Sequence, residues 1–192
     1  MNCHQYQKAM VQDRVELGPV LNAASKEDPA NLSQFGVTNF DINTHCAMLN
    51  RDLRTLPNFV LGSVLEMSAH FKEGQFKTIV LGEYIEHCVP AVVKKSLLEC
   101  KKVLSDDGML ILTFPLDARP PKSQHAERHL KVWLEGETGH DITVWHQTVW
   151  EDDMLEELFS ETGWTVVKKD PVSYAFIKGR NPQGWGILLE KA

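Results

Sequence analysis

No apolar run in the 192 residues is long enough to span a bilayer, which argues against a helical membrane anchor. The opening residues, MNCHQYQKAM, lack the apolar stretch of a secretory signal. Cysteine is sparse: Cys3, Cys46, Cys88 and Cys100 show no paired metal-ligand spacing. They read as reduced thiols of a cytoplasmic protein, and no metal is expected. Positive charge is in deficit, with 20 Lys and Arg against 26 Asp and Glu and a net charge of −6. That balance argues against a nucleic-acid partner, because phosphate binding needs a surplus of cations. The lysines between Lys94 and Lys102 therefore read as the solvated face of a helix. Internal repeats, low-complexity tracts and a Ser/His/Asp-type triad are all missing. What remains is ordinary globular composition, 43% hydrophobic and 24% charged, of a length that suits one domain.

The informative stretch runs from Phe76 to Pro115. Lys77 to Gly82 is a short, β-branched apolar run, as expected of a strand buried on both faces. Val92 to Leu104 places Val93, Leu97, Cys100 and Leu104 at helical spacing. Asp106-Asp107-Gly108 reads as a turn, and Met109 to Phe114 as a second strand closed by Pro115. Strand, helix and strand within forty residues predict a right-handed βαβ crossover and a parallel sheet.

The segments LGEYIEH, KKVLSDDG and LILTFP, in that order, resemble class I S-adenosylmethionine-dependent methyltransferases, and within them the small methyltransferase-domain group. The resemblance spans about Val20 to Trp164. It implies an α/β, Rossmann-like, doubly wound sheet of seven mixed strands in the order 3-2-1-4-5-7-6. Helices would cover both faces and the last strand would be antiparallel. It also implies S-adenosylmethionine as cofactor, bound at the carboxyl ends of strands one, two and four, and a small-molecule acceptor. No oligomeric state follows. The whole chain, 1–192, reads as one such domain, with a leader over 1–17 and a lid-like substrate segment over 116–147.

In order along the chain, residues 3–15 suit a short amphipathic helix with Tyr6, Met10 and Val11 inward, lying across a sheet edge or over a site. Val20 to Ala24 reads as the first strand. By resemblance, Asn22, Ala23, Ala24 and Ser25 form the turn against the cofactor, where the family uses glycine so that the backbone can approach. The stretch from Ala23 to Asp28 has no glycine. Small side chains still allow close approach provided that none needs a positive φ. Asp28-Pro29 suggests the N-cap and first residue of a short helix reaching about Phe35. Asp41 ends the second strand, 20 residues after Leu21. An acid there suits the two ribose hydroxyls of an adenosine, with Ile42 beside it, although an aspartate that merely ends a strand is the plainer alternative.

After the third strand, Ser63 stands where the family usually has an acid for the adenine amino group, and Val64 and Leu65 would flank the base. Gly82, Glu83 and Tyr84 would lie at the methionine end. His87 is the candidate base or acceptor-orienting group, against the alternative that Glu86 and His87 only stabilise the loop. In 116–147, His125, His129, Trp145 and His146 are candidate substrate contacts, and a surface excursion is equally open. His125 and His129 share helical spacing, but the order HAERH is not the HExxH of zinc proteases. Glu151 to Thr162 reads as an amphipathic helix stopped by Gly163, followed by strands at Trp164–Lys168 and Trp185–Glu190, paired antiparallel across Pro171–Gly184.

The sulfonium methyl is already activated, so positioning supplies much of the catalysis and no triad is required. A base is needed only for a protonated acceptor, and oxygen, nitrogen, carbon and sulfur acceptors fit equally. Two other readings stand beside transfer. One is a catalytically inactive protein of this fold acting as a scaffold, suggested by the glycine-free turn and Ser63. The other is an NAD-dependent dehydrogenase, disfavoured by the missing glycine fingerprint.

Overall fold

The computed structural model describes residues 1–25, 28–42, 45–46, 51–116, 148–174 and 183–192. Seven strands form one mixed sheet: β1 Val20–Ala23, β2 Thr38–Asp41, β3 Phe59–Leu61, β4 Phe76–Gly82, β5 Leu104–Pro115, β6 Trp164–Ser173 and β7 Gln183–Lys191. Their spatial order is β3-β2-β1-β4-β5-β7-β6. β7 runs antiparallel to both neighbours and all other pairings are parallel. The order and the reversed last strand are those that the resemblance implies. A two-residue ladder, His45–Cys46 with Arg51–Asp52, stands outside the sheet.

Alternation along the strands sorts the core into two layers, as the period of two requires. Leu21, Ala23, Ile79, Leu81, Leu110, Leu112, Phe114, Ile187 and Leu189 face one side. There they meet Val93, Leu97, Cys100 and Val103 of helix α2 (Pro90–Val103) and Leu155, Leu158 and Phe159 of α3 (Asp152–Thr162). Val20, Val80, Ile111 and Leu188 face the other side, under helix α1 (Cys3–Gln12) and the 3-10 turn Leu32–Phe35.

α1 lies on a sheet face, not across an edge. Its inward residues are Cys3, Tyr6, Gln7 and Val11, while Met10 is only half buried. Close approach is possible because the strands beneath carry glycine: a Cβ on Gly186 would come 2.7 Å from the Tyr6 ring, and one on Gly82 would come 2.9 Å from Gln7 Cδ. The helix starts on a capping box in which Asn2 Oδ1 accepts from Gln5 N and Gln5 Oε1 accepts from Asn2 N. Met1 O accepts from Ser173 N at 3.0 Å, which fastens the chain start to β6.

Several local expectations are corrected. The Asp28-Pro29 pair does not open a helix; the helical turn begins only at Leu32. Leu104 to Pro115 is one extended strand, with Leu104 opposite Phe76 and a register shift before Met109 meets Thr78. The acidic pair Asp106-Asp107 thus sits inside an irregular strand end. β6 continues to Ser173, so Pro171 lies within it. A proline is tolerated there because β6 is the outer strand and one side of its backbone needs no partner. α2 begins two residues earlier than its apolar spacing suggests, with Pro90 at its first turn.

Candidate functional site

The strand order reverses between β1 and β4, since the chain adds β2 and β3 on one side of β1 and β4 and β5 on the other. A crevice at the carboxyl ends of the strands beside such a reversal is where open α/β sheets bind ligands. Here it is lined by Asn22, Ala24, Ser25, Asp28, Gly82 and Glu83, with Gln7 closing it from α1. The register explains the gathering. Ala23 pairs with Phe40 and with Leu81, so Ala24, Asp41 and Gly82 come next in line on three adjacent strands.

Three non-glycine residues at this crevice are left-handed, Ala24 at φ 53°, Asp28 at φ 56° and Glu83 at φ 53°. The condition for close approach in the glycine-free turn, that no residue needs a positive φ, is not met at Ala24, which carries roughly 1–2 kcal/mol of backbone strain. Ser25 N donates to Phe40 O at 3.1 Å and Glu83 N to Thr113 O at 2.7 Å, which extend the pairing of β1 and β4 past their ends and hold both turns in place. Such over-determined strain gathers at binding sites.

Behind the β1 turn is a buried polar network. Asp28 is itself left-handed at φ 56° and accepts from Leu32 N at 2.7 Å and from Ser33 N at 2.8 Å. Asn22 Nδ2 donates to Asn39 Oδ1 at 3.0 Å, and Asn39 Nδ2 donates to Ser33 Oγ and Pro57 O. Ser25 Oγ is buried and has no hydrogen-bond partner among the described residues. Asp41, 4% exposed, ends β2, and its carbonyl accepts from Gly62 N.

On the far side, Gln7 is buried over Gly82 and its Nε2 donates to Thr113 Oγ1 at 2.6 Å. Glu83 Oε1 accepts from the Cys3 thiol at 3.2 Å and from His4 Nε2 at 2.8 Å. Burial, and after it the charge of Glu83, pushes the Cys3 thiol well above its ordinary range. The free space left in the crevice is about 10 Å³, enough for roughly one water. Sequence reading missed His4 and Gln7, because polar residues of an amphipathic helix are read as solvent-facing.

The remaining predicted residues are spread more widely. Ser63 caps the 3-10 turn Val64–Ala69, with its Oγ accepting from Leu65 N at 3.2 Å. Val64 and Leu65 are buried, and Ile42 is half buried beside Asp41. The Tyr84 side chain turns into the core, its hydroxyl 2.9 Å from Ser96 Oγ on α2, and burial raises its pKa. Any contact of Tyr84 with the crevice is through its backbone. His87 closes the 3-10 turn Ile85–His87, with Nε2 3.8 Å from the buried carboxylate of Glu86. That turn is clasped from below by Trp150 Nε1, donating to Ile85 O at 3.0 Å, and by Thr148 Oγ1, donating to Cys88 O at 2.8 Å. His125, His129, Trp145 and His146 lie outside the described residues. Among the described residues no helix is long and apolar enough to cross a membrane.

Residues 23–112 match the family described as methyltransferase domain. That span, 90 of the 192 residues, is similar to a methyltransferase domain. Solved structures agree on the fold. An S-adenosylmethionine-dependent methyltransferase from Methanosarcina mazei superposes at a TM-score of 0.62 and 16% identity, covering 90% of this chain and 92% of that one. A 1,6-didemethyltoxoflavin-N1-methyltransferase from Burkholderia thailandensis, crystallised with 1,6-didemethyltoxoflavin and S-adenosylhomocysteine, gives a TM-score of 0.67 and 15% identity, covering 99% and 78%. One from Archaeoglobus fulgidus gives 0.61 and 13%, covering 98% and 94%. Among curated proteins, no sequence matches.

Proposed function

We propose that this domain transfers the methyl group of S-adenosylmethionine to a small-molecule acceptor. The observation that carries the reading is the crevice at the strand reversal, where Ala24, Asp41 and Gly82 come into line on three adjacent strands. S-adenosylmethionine is the cofactor of the fold. The residues present suit it in polarity: Ser25 Oγ is a buried hydroxyl without a partner among the described residues, and Asp41 is an acid at the tip of β2. In this reading Asn22, Ala23, Ala24 and Ser25 line the cofactor with backbone and small side chains. Asp41 and Ile42 take the ribose, and Ser63, Val64 and Leu65 the adenine. Gly82, Glu83 and Tyr84 border the methionine end, and His87 orients or deprotonates the acceptor. The bound cofactor supplies an electrophilic methyl. The chain's part is to hold it, exclude water and align the acceptor for in-line attack. The Burkholderia relative, with a small heteroaromatic molecule bound, supports an acceptor of that size class.

One observation favours a second reading, a protein of this fold that has lost transfer and serves as a scaffold. Gln7 lies over Gly82 and leaves only the small free volume noted above. Calorimetric titration with S-adenosylmethionine and S-adenosylhomocysteine separates the two. Micromolar affinity supports the enzyme, and no heat at millimolar ligand supports the scaffold.

Asp41→Ala should weaken S-adenosylhomocysteine binding by about tenfold or more while the circular dichroism spectrum is unchanged, since it removes a charged acceptor for two hydroxyls. An unaltered dissociation constant removes Asp41 from the site. Ala24→Gly should leave stability within about 1 kcal/mol, because relief of the left-handed strain is offset by chain entropy and a lost methyl contact. The same change should tighten S-adenosylhomocysteine binding severalfold, because it lets the backbone approach. Weaker binding would show that the Cβ is part of the contact surface.

A further inference from the structure

We propose that Cys3, His4 and Glu83 form a binding site for a divalent ion of the zinc class. One ligand atom from each of the three lies within 4.8 Å of the other two. The Cys3 sulfur is 3.2 Å and His4 Nε2 2.8 Å from the same carboxylate oxygen, Glu83 Oε1. Zinc bonds of about 2.0–2.3 Å to sulfur, nitrogen and oxygen place neighbouring ligand atoms of a tetrahedral site roughly 3.3–3.6 Å apart. The sulfur and the imidazole nitrogen therefore need to move away from Glu83 Oε1 by only a few tenths of an ångström, and they lie within 4.8 Å of each other. Sulfur, imidazole and carboxylate together select a borderline-soft ion over calcium or magnesium, which prefer oxygen alone.

The donors are held before any ion arrives. Cys3 and His4 occupy the first turn of α1, fixed by the Asn2 capping box and by the hydrogen bond from Ser173 N to Met1 O. Glu83 sits in its left-handed turn, with its amide donating to Thr113 O. The side chains of His4 and Glu83 are 19% and 20% exposed, so an ion can reach them from solvent. On binding, the thiol releases its proton to solvent, and the imidazole carries its remaining proton on Nδ1, leaving Nε2 to ligate. The ion thereby replaces two hydrogen bonds. Three protein ligands leave one tetrahedral position for water or a soft donor such as a thiol, the arrangement of catalytic zinc sites as opposed to closed structural ones. Glu83 also lines the crevice, so an ion held by it would sit beside the crevice.

The test is titration of the chelator-treated full chain with Co²⁺ alone, as a spectroscopic substitute for zinc. The expected result is saturable binding of one ion per chain, with a near-ultraviolet thiolate-to-cobalt charge-transfer band that Zn²⁺ bleaches. Cys3→Ser, which preserves size, should abolish the band. His4→Ala and Glu83→Gln should each weaken Zn²⁺ affinity by at least the roughly 10–100-fold that loss of an outer-shell partner costs. Those two variants keep the proposal testable if Cys3→Ser fails to fold. Three results overturn it: no saturable binding, weak binding without a thiolate band (an adventitious ion only), or a band that survives in folded Cys3→Ser.

Discussion

Replacing Trp150 with alanine should lower the unfolding free energy by about 3–5 kcal/mol, the usual loss for a buried indole. Trp150 is 1% exposed and packs in the larger apolar layer. Its Nε1 donates to Ile85 O at 3.0 Å, so the indole both fills the core and satisfies a carbonyl of the turn that carries His87. The two contributions separate in Trp150→Phe, which keeps most of the ring but removes the indole hydrogen bond, leaving Ile85 O with the amide of Cys88 alone. Loss of that one hydrogen bond should cost about 0.5–1.5 kcal/mol. Urea unfolding curves with unchanged slopes measure both, and hydrogen exchange at Cys88 and His87, whose amides donate to Ile85 O and Tyr84 O, should accelerate. A Trp150→Ala loss below about 1 kcal/mol would mean that the layer collapses onto the space and that the indole does not hold the turn.

The centre of the fold is legible in the sequence because its residues obey one pattern at every level. Ile79, Val80 and Leu81 are buried on both faces of β4, and Val93, Leu97 and Cys100 share one side of α2. Gly163 at φ 68° closes α3 where a helix stop is expected. The crevice is less legible, for two reasons. Ala24 adopts a conformation that the sequence signals by glycine elsewhere, so composition hides the turn's geometry. Gln7 and His4 face inward only because their partners, Thr113 and Glu83, lie 106 and 79 residues away. No local periodicity carries that information, since the burial of a polar side chain depends on a distant partner. The signal that could have found Gln7 is Gly82 at the end of a β-branched run, which marks a close approach from the layer above. Tyr84 reverses the case: its position beside Gly82 suggests the crevice, but its ring buries more apolar surface against α2.

Asp28 shows how a local signal can name the right residue and the wrong structure. The Asp-Pro pair reads as an N-cap, and the carboxylate does satisfy helical amides, but those of Leu32 and Ser33, four and five residues on. The intervening chain turns with Asp28 and Asn31 both left-handed, at φ 56° and 54°. Aspartate and asparagine tolerate that region better than most residues. Asp28→Ala should therefore cost about 3–5 kcal/mol, from two charge-assisted hydrogen bonds of about 1.5–3 kcal/mol each, offset in part by no longer burying a carboxylate. Asp28→Asn keeps one acceptor and the tolerance of positive φ, and should cost about half as much. Because Asn22 Nδ2 also reaches Asp28 Oδ1, at 3.4 Å, the alanine variant loosens the β1 turn and should weaken S-adenosylhomocysteine binding as well. Urea denaturation ranks the two substitutions, and calorimetry at a temperature where both remain folded reads the affinity. Equal losses for alanine and asparagine would show that the charge itself, and not the pair of amides, stabilises the turn.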